Sequence, residues 1–391
     1  MNWRIPLSDL RLTQEDRDAV VAALESNWLT MGERTQAFER AFAVALDAEH
    51  PPHCFAVGNC TLALHMALVA VGVGPGDEVI LPSLTFVATA NAVLYTGATA
   101  VLADVASDTD WTLCPQDVRA KITARTKAIL PVHYAGQPCD MVELRKIAEE
   151  FNLVIIEDNA HGPLADGWVD DRHTPQALGT IGAVGCFSFF SNKNMTTGEG
   201  GMVVTRDAVL AEKLRLIRAH GMTTLTMDRH KGHAFSYDVV ELGFNYRIDE
   251  MRAALGLSQL SRLVANNAAR EAVVHHYYAA LHRLPDVTVP FRHRPPQGRT
   301  AAHILPVLLP AGANRQLVQE RLRDAGVQTS IHYRPIHTFS YHSDTPLVRA
   351  EGMEMTDLLA PRILTLPLSP TLTATEVTYV VDALRDALVG A

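Results

Sequence analysis

Between about residues 54 and 205 the chain alternates short apolar runs with amphipathic stretches. Val79-Ile80-Leu81, Ala100-Val101-Leu102, Ala128-Ile129-Leu130-Pro131-Val132 and Leu153-Val154-Ile155-Ile156 are continuously apolar, the pattern of strands buried on both faces. The stretch Met141–Phe151 repeats its apolar positions at helical spacing. Such alternation predicts a largely parallel sheet covered by helices on both sides. Thr13-Gln14-Glu15-Asp16 supplies a start signal for an early amphipathic helix. Beyond about residue 250 the pattern changes. Residues 252–280 read as one long helical stretch, and residues 286–391 as a smaller α+β unit, with Pro290, Pro295, Pro296, Pro306 and Pro310 near the change. The expected division is a large α/β domain over 1–265 and a small C-terminal α+β domain over 266–391.

Composition narrows the function classes. Hydrophobic residues make up 48% and charged residues 20% of 391, enough to bury a large core without disulfides or metals. A formal charge of −9 argues against a broad basic face for nucleic acid. The five cysteines, Cys54, Cys60, Cys114, Cys139 and Cys186, are scattered and include no Cys-x-x-Cys pair, so neither a disulfide framework nor a zinc knuckle is indicated. The N-terminus has no apolar signal core and no stretch reaches the length of a membrane span; a cytoplasmic protein without a membrane partner is expected. Dinucleotide fingerprints, Walker loops and a serine nucleophile elbow are absent. The His332-Tyr333-Arg334-Pro335-Ile336-His337 cluster lacks the spacing of a helical metal pair, and no metal is expected.

Three segments carry candidate chemistry. In the run from Cys186 to Thr205, two apolar strands flank a polar loop that holds Lys193 and the glycines Gly198, Gly200 and Gly201. A lone lysine is ordinarily solvated surface, and in water roughly one amine in two or three thousand is neutral at pH 7. A lysine hemmed in by apolar strands loses some of its preference for charge, which opens Schiff-base chemistry. In the second segment, Glu157 and Asp158 close an apolar strand, with His161 just beyond. Ligands of open α/β sheets sit at such carboxyl ends. A pyridoxal phosphate (PLP) ring needs a carboxylate against its pyridine nitrogen, and Asp158 suits that need. In the third, Gly58-Asn59-Cys60-Thr61 reads as the turn into a helix whose free N–H groups form a phosphate cup. Phe86 could stack on a flat ring or be an ordinary core aromatic.

Together these segments resemble the DegT/DnrJ/EryC1/StrS sugar aminotransferases, a branch of the fold-type I PLP enzymes, from Trp28-Leu29-Thr30-Met31-Gly32 to Leu366-Pro367-Leu368. The most specific parts are Glu157-Asp158-x-Ala160-His161, Ser188 to Lys193 with Gly198-Glu199-Gly200-Gly201, Gly243-Phe244-Asn245-Tyr246-Arg247, and His332-Tyr333-x-Pro335-x-His337. The resemblance implies a mostly parallel seven-stranded sheet between helices in the large domain. It implies that Lys193 forms the Schiff base and shuttles the proton, that Asp158 pairs with the ring nitrogen, and that Phe86 and His161 lie on or beside the ring. The phosphate is then held by Cys60, Thr61, Ser188 and, from a neighbouring subunit, Asn245, which implies a homodimer with shared sites. Thr30, His332, Tyr333 and His337 are implied substrate contacts. The implied reaction moves an amino group from glutamate or glutamine to a keto group of a nucleotide-linked sugar, at C4 because histidine follows Asp158 by three. Related dehydratases carry histidine at the lysine position, so Lys193 argues for transamination. An inosose or other cyclic ketone is an alternative acceptor, and a non-catalytic PLP-binding regulator is an alternative class. Two features depart from the family: Asn59-Cys60-Thr61 replaces its usual Ser-Gly-Thr turn, and Met31 replaces a small hydroxyl residue. The segment 169–175 is an insertion with no assigned role.

Overall fold

The computed structural model describes residues 3–224 and 236–391. Its main sheet runs in the order β1 (His53–Val57), β9 (Gly201–Thr205), β8 (Val184–Ser188), β5 (Val154–Asp158), β4 (Thr126–Ile129), β2 (Glu78–Pro82), β3 (Thr99–Ala103) and β12 (Val348–Arg349). Seven strands thus come from residues 53–205, and a two-residue eighth returns from the C-terminal part. All neighbours pair parallel except β9, which is antiparallel to both β1 and β8. Every residue of β2, β8 and β9 is buried, which accounts for their mostly apolar sequences, with Glu78, Ser188 and Thr205 at their ends.

Alternate strand residues serve the two faces. Val79, Leu81, Ala100, Leu102 and Val203 pack with helices α3 (Cys60–Ala70), α4 (Val87–Tyr95) and α7 (Ala208–Arg218). On the other face, Ile80, Val101, Ile129 and Ile155 meet α5 (Pro115–Lys121) and α6 (Met141–Phe151). There α2 (Glu33–Leu46) adds Phe38 and Phe42 to an aromatic group with Phe187 and Phe189, at ring separations of 5.0 to 6.2 Å. The first helix, α1 (Gln14–Glu25), starts at Thr13 with reciprocal bonds, Asp16 N–H to Thr13 Oγ1 at 3.4 Å and Thr13 N–H to Asp16 Oδ2 at 2.9 Å.

The single helix expected over 252–280 is two helices, Glu250–Leu260 and Leu263–Leu281. Arg262 leaves helical geometry at φ −117° and ψ 6°, and its guanidinium is drawn to Asp16 of α1. One residue out of line barely disturbs apolar periodicity, so the break is silent in the pattern. A second core joins the Leu263–Leu281 helix to the helices Arg315–Asp324 and Ala374–Leu388 and to the antiparallel pair β11 (Leu305–Leu308) and β13 (Ile363–Leu366). Ile5 belongs to this core, while Ile336 and Met353 pack back into the main one. Of the segment 169–175, residues 169–174 form the turn between β6 (Asp166–Trp168) and β7 (Pro175–Ala177), and Pro175 opens β7; the two strands pair beside β10 (Gly298–Arg299). Asp170 closes that tip by accepting from the N–H groups of Arg172 and Thr174, and Asp171 pairs with Lys146 of α6 at 2.9 Å. Among the described residues no helix is long and apolar enough to cross a membrane.

Candidate active site

The carboxyl ends of β1, β2, β4, β5 and β8 open on one cavity of about 380 Å³. Sheets of this kind bind ligands there because the loops after the strands converge at that end. The reversed strand β9 begins at the same end, so Glu199 also lines the cavity.

Adjacent carboxylates at the end of β5 are parted by the pleat. Glu157 is fully buried and accepts from the N–H groups of Gly179, Ile181 and Gly182 at 2.6 to 2.7 Å and from His133 Nε2 at 2.9 Å. It is a fastener for the loop before β8. Asp158 faces the cavity, where Thr89 Oγ1 donates to it at 2.8 Å and the Ala160 N–H at 3.2 Å. Thr85 Oγ1 lies 2.9 Å from Thr89 Oγ1, extending the chain of hydroxyls. Burial raises the carboxyl's pKa, a cost that these donors and the Lys193 charge oppose. A buried carboxylate so placed is suited to a cationic partner.

Lys193 stands in the loop between β8 and β9. Burial pushes its ammonium down to about 8, against the opposing pull of Cys60 and Asp158. The loop is pinned by Asn194, whose amide donates to Ala301 O at 2.7 Å and Asn267 Oδ1 at 2.8 Å, while its oxygen lies 2.9 Å from His303 Nδ1. Gly198 has φ +77°, and Gly201 admits the close approach of α3: a Cβ there would lie 2.7 to 2.9 Å from backbone atoms of Asn59 and Cys60.

Asn59 caps α3, its Oδ1 accepting from the Leu62 N–H at 3.0 Å. The helix N-terminus, with Cys60 and Thr61, is part of the cavity wall beside Ser188. Cys60 is the first residue of α3 and its side chain packs in the main core, so helical geometry accommodates a side chain where the family has glycine. Phe86 is 55% exposed at the cavity, not a core aromatic. His161 and Tyr333 complete the wall, His161 Nε2 lying 2.9 Å from Tyr333 Oη. His332 also lines it and bonds Thr365 Oγ1 through Nδ1 at 2.9 Å.

The structure therefore brings together Cys60, Thr61, Phe86, Asp158, His161, Ser188, Lys193, His332 and Tyr333. It leaves three expected residues outside this cavity. His337 bridges Ser83 Oγ at 2.7 Å and Asp357 Oδ1 at 2.8 Å, tying the C-terminal part to the loop after β2. Thr30 and Asn245 are exposed elsewhere on the chain. Thr85, Thr89, Asn192 and Glu199 line the cavity without having been singled out from the sequence. The i, i+4 spacing of Thr85 and Thr89 across the start of α4 was the available signal for the first two.

These residues fit pyridoxal phosphate. Asp158 offers a buried carboxylate for a ring nitrogen, Lys193 a low-pKa amine for an aldehyde, α3 an anion-binding terminus, and Phe86 an open aromatic face. Residues 11–385 match the model of the DegT/DnrJ/EryC1/StrS aminotransferase family. The chain is 36% identical over 395 residues to the spore coat polysaccharide biosynthesis protein SpsC of Bacillus subtilis (strain 168), covering 100% of this chain and 98% of that one. Helicobacter pylori PseC, an aminotransferase involved in the biosynthesis of pseudoaminic acid, superposes with a TM-score of 0.88 at 26% identity over 99% of this chain and 100% of its own. The PLP form of the sugar aminotransferase Spr1654 from Streptococcus pneumoniae gives a TM-score of 0.88 at 26% identity over 99% of both chains. The chain belongs to the DegT/DnrJ/EryC1/StrS aminotransferase family and is a PLP-dependent aminotransferase.

Proposed function

We propose that the chain moves an amino group from glutamate or glutamine to a keto group on a nucleotide-linked sugar, at C4. The observation that carries this reading is one cavity lined by both a lysine whose ammonium is brought down to about 8 and the buried carboxylate of Asp158. Support for a sugar comes from relatives named for polysaccharide biosynthesis, pseudoaminic acid biosynthesis and sugar aminotransfer. The preference for C4 rests on His161, three residues after Asp158. PLP, when bound, supplies the electron sink that lets a proton leave the carbon bearing the amino group.

The chain's own residues do the rest. Asp158, held by Thr89, fixes the ring nitrogen and balances its charge. Lys193, through its Nζ, would take the proton from the substrate carbon and hold it for return. Its depressed pKa leaves roughly a tenth of the amine neutral at pH 7, a few hundredfold more than in water. Cys60, Thr61 and Ser188 hold the phosphate, and Phe86 covers a ring face. His332, Tyr333 and Thr30 contact the sugar substrate. Asn245, exposed on its own chain, reaches the phosphate of a second subunit in a homodimer.

Borohydride treatment of the yellow protein should fix the cofactor to the peptide that contains Lys193. Lys193→Ala should abolish that adduct and lower conversion of the cofactor by glutamate at least a thousandfold. Wild-type protein that neither binds PLP nor forms the adduct would sink the enzyme reading. A panel of nucleotide-linked 3-keto and 4-keto sugars and inososes then decides the acceptor. Turnover of an inosose alone would replace the sugar nucleotide.

A further inference from the structure

A second cavity, of about 220 Å³, lies among the N-terminal segment, the loop that carries Lys193 and the Leu263–Leu281 helix. Asn192 and Lys193 line both cavities, so the two share a wall. The lining of the second is unevenly charged. Among the described residues it contains Arg11, Lys193, Arg262 and Arg270 but a single carboxylate, Asp9. Two of these cations already have acids: Arg11 Nε donates to Asp9 Oδ2 at 2.5 Å, and Arg262 is drawn to Asp16. Lys193 belongs to the cofactor chemistry proposed above. Arg270 is left.

Arg270 is only 4% exposed. Its Nη1 donates to the carbonyls of His303 at 3.3 Å and Leu368 at 3.2 Å, and its buried Nε has no hydrogen-bond partner among the described residues. Burial lowers its pKa to about 10, with no carboxylate opposing the loss. Charged side chains are seldom so buried without an ionic partner, because removing the charge from water is costly. A guanidinium with N–H groups to spare, at the wall of a cavity, suits an oxyanion whose oxygens accept from its planar fork. We propose that this second cavity binds a small oxyanion, the carboxylate of an organic acid or inorganic phosphate, and that Arg270 supplies the charge that holds it. The inference does not depend on how the cofactor lies in the first cavity.

The test is calorimetric titration of full-length, PLP-loaded protein with sodium phosphate and, separately, sodium succinate, at fixed ionic strength. Loading with PLP keeps the titrated phosphate out of the cofactor's own place. Wild-type protein should take up at least one of the two anions saturably, with one site per chain. Uptake of phosphate alone or of succinate alone identifies the source, and uptake of both identifies a general oxyanion site. Arg270→Gln removes the charge and should weaken binding at least about tenfold, the scale of a hydrogen bond to a charged group. Asn266→Asp keeps Arg270 and its carbonyl contacts but adds a carboxylate to the lining. It should weaken binding about tenfold by repulsion, while Asn266→Ala should stay within about twofold of wild type. Wild-type protein that takes up neither anion saturably overturns the proposal, and so does an unchanged affinity in Arg270→Gln. If Arg270→Gln does not fold, equal affinities in Asn266→Asp and Asn266→Ala overturn it.

Discussion

At the scale of single residues, the neighbours Glu157 and Asp158 show how one step along a strand separates structure from chemistry. Both are buried acids at the end of β5, yet one is spent on three backbone N–H groups and a histidine and the other faces the cavity. Thr89→Val removes the 2.8 Å donor to Asp158 while keeping the shape of the side chain. The expected result is PLP binding weakened about tenfold with unchanged circular dichroism, the scale of one hydrogen bond to a charged group. Lys193 makes a pH prediction of definite sign. Its folded pKa is lowered to about 8, so the nucleophilic amine grows with pH up to that value. Capture of added PLP by cofactor-free protein should speed up about tenfold per unit below pH 8 and level off above it, followed by stopped-flow absorbance. Lys193 and Asp158 were legible because each stands inside a short, ordered segment whose residue types suit one chemistry. Thr89 was not, because two threonines four apart across the start of a helix are commonplace. His303 was not, because its contact with Asn194 joins positions more than a hundred residues apart.

At the scale of elements, strands and most helices followed from periodicity, and their junctions from close contacts that periodicity does not encode. The Thr13 signal and the span Met141–Phe151 match the observed α1 cap and α6. The interruption near Arg262 depends on an ion pair to Asp16, nearly 250 residues away in sequence. Gly201 is a comparable case, since its lack of a side chain is needed only because α3 begins against it. Gly201→Ala should shift the start of α3 and with it the cup formed by Cys60 and Thr61. PLP affinity should fall by at least tenfold, with Tm lowered by several degrees, as both fluorescence titration and calorimetry can check. Glu250 plays a parallel part for α2: its carboxylate accepts from the N–H groups of Gly32, Arg34 and Thr35 and from Thr35 Oγ1 at 2.7 to 2.9 Å. Glu250→Gln loses the charge and one acceptor, and chemical denaturation should report a loss of about 2 kcal/mol.

At the scale of the whole molecule, the alternation of strands and helices was enough to read an α/β layer architecture, and the family resemblance narrowed it to one fold. The traffic between cores was not readable. Ile5 joins the C-terminal core and Ile336 and Met353 join the main one, so each end of the chain contributes to the core built mainly by the other. The proposed homodimer makes a quantitative test. Lys193→Ala and Asn245→Asp chains, each defective alone, should regain about a quarter of wild-type activity when refolded together, because half the dimers are mixed and each has one intact site. Recovery no greater than the sum of the two alone would mean that each site is built from one chain. The short strand β12 has a consequence for how the protein is made. It covers the outer edge of β3, and it is encoded near the end of the chain. During synthesis on the ribosome that edge, fully apolar over Ala100-Val101-Leu102, stays open until the last part of the message is read. Truncations that stop before Val348 should accordingly partition into the insoluble fraction or onto chaperones, even though they contain every residue of the cavity up to Tyr333.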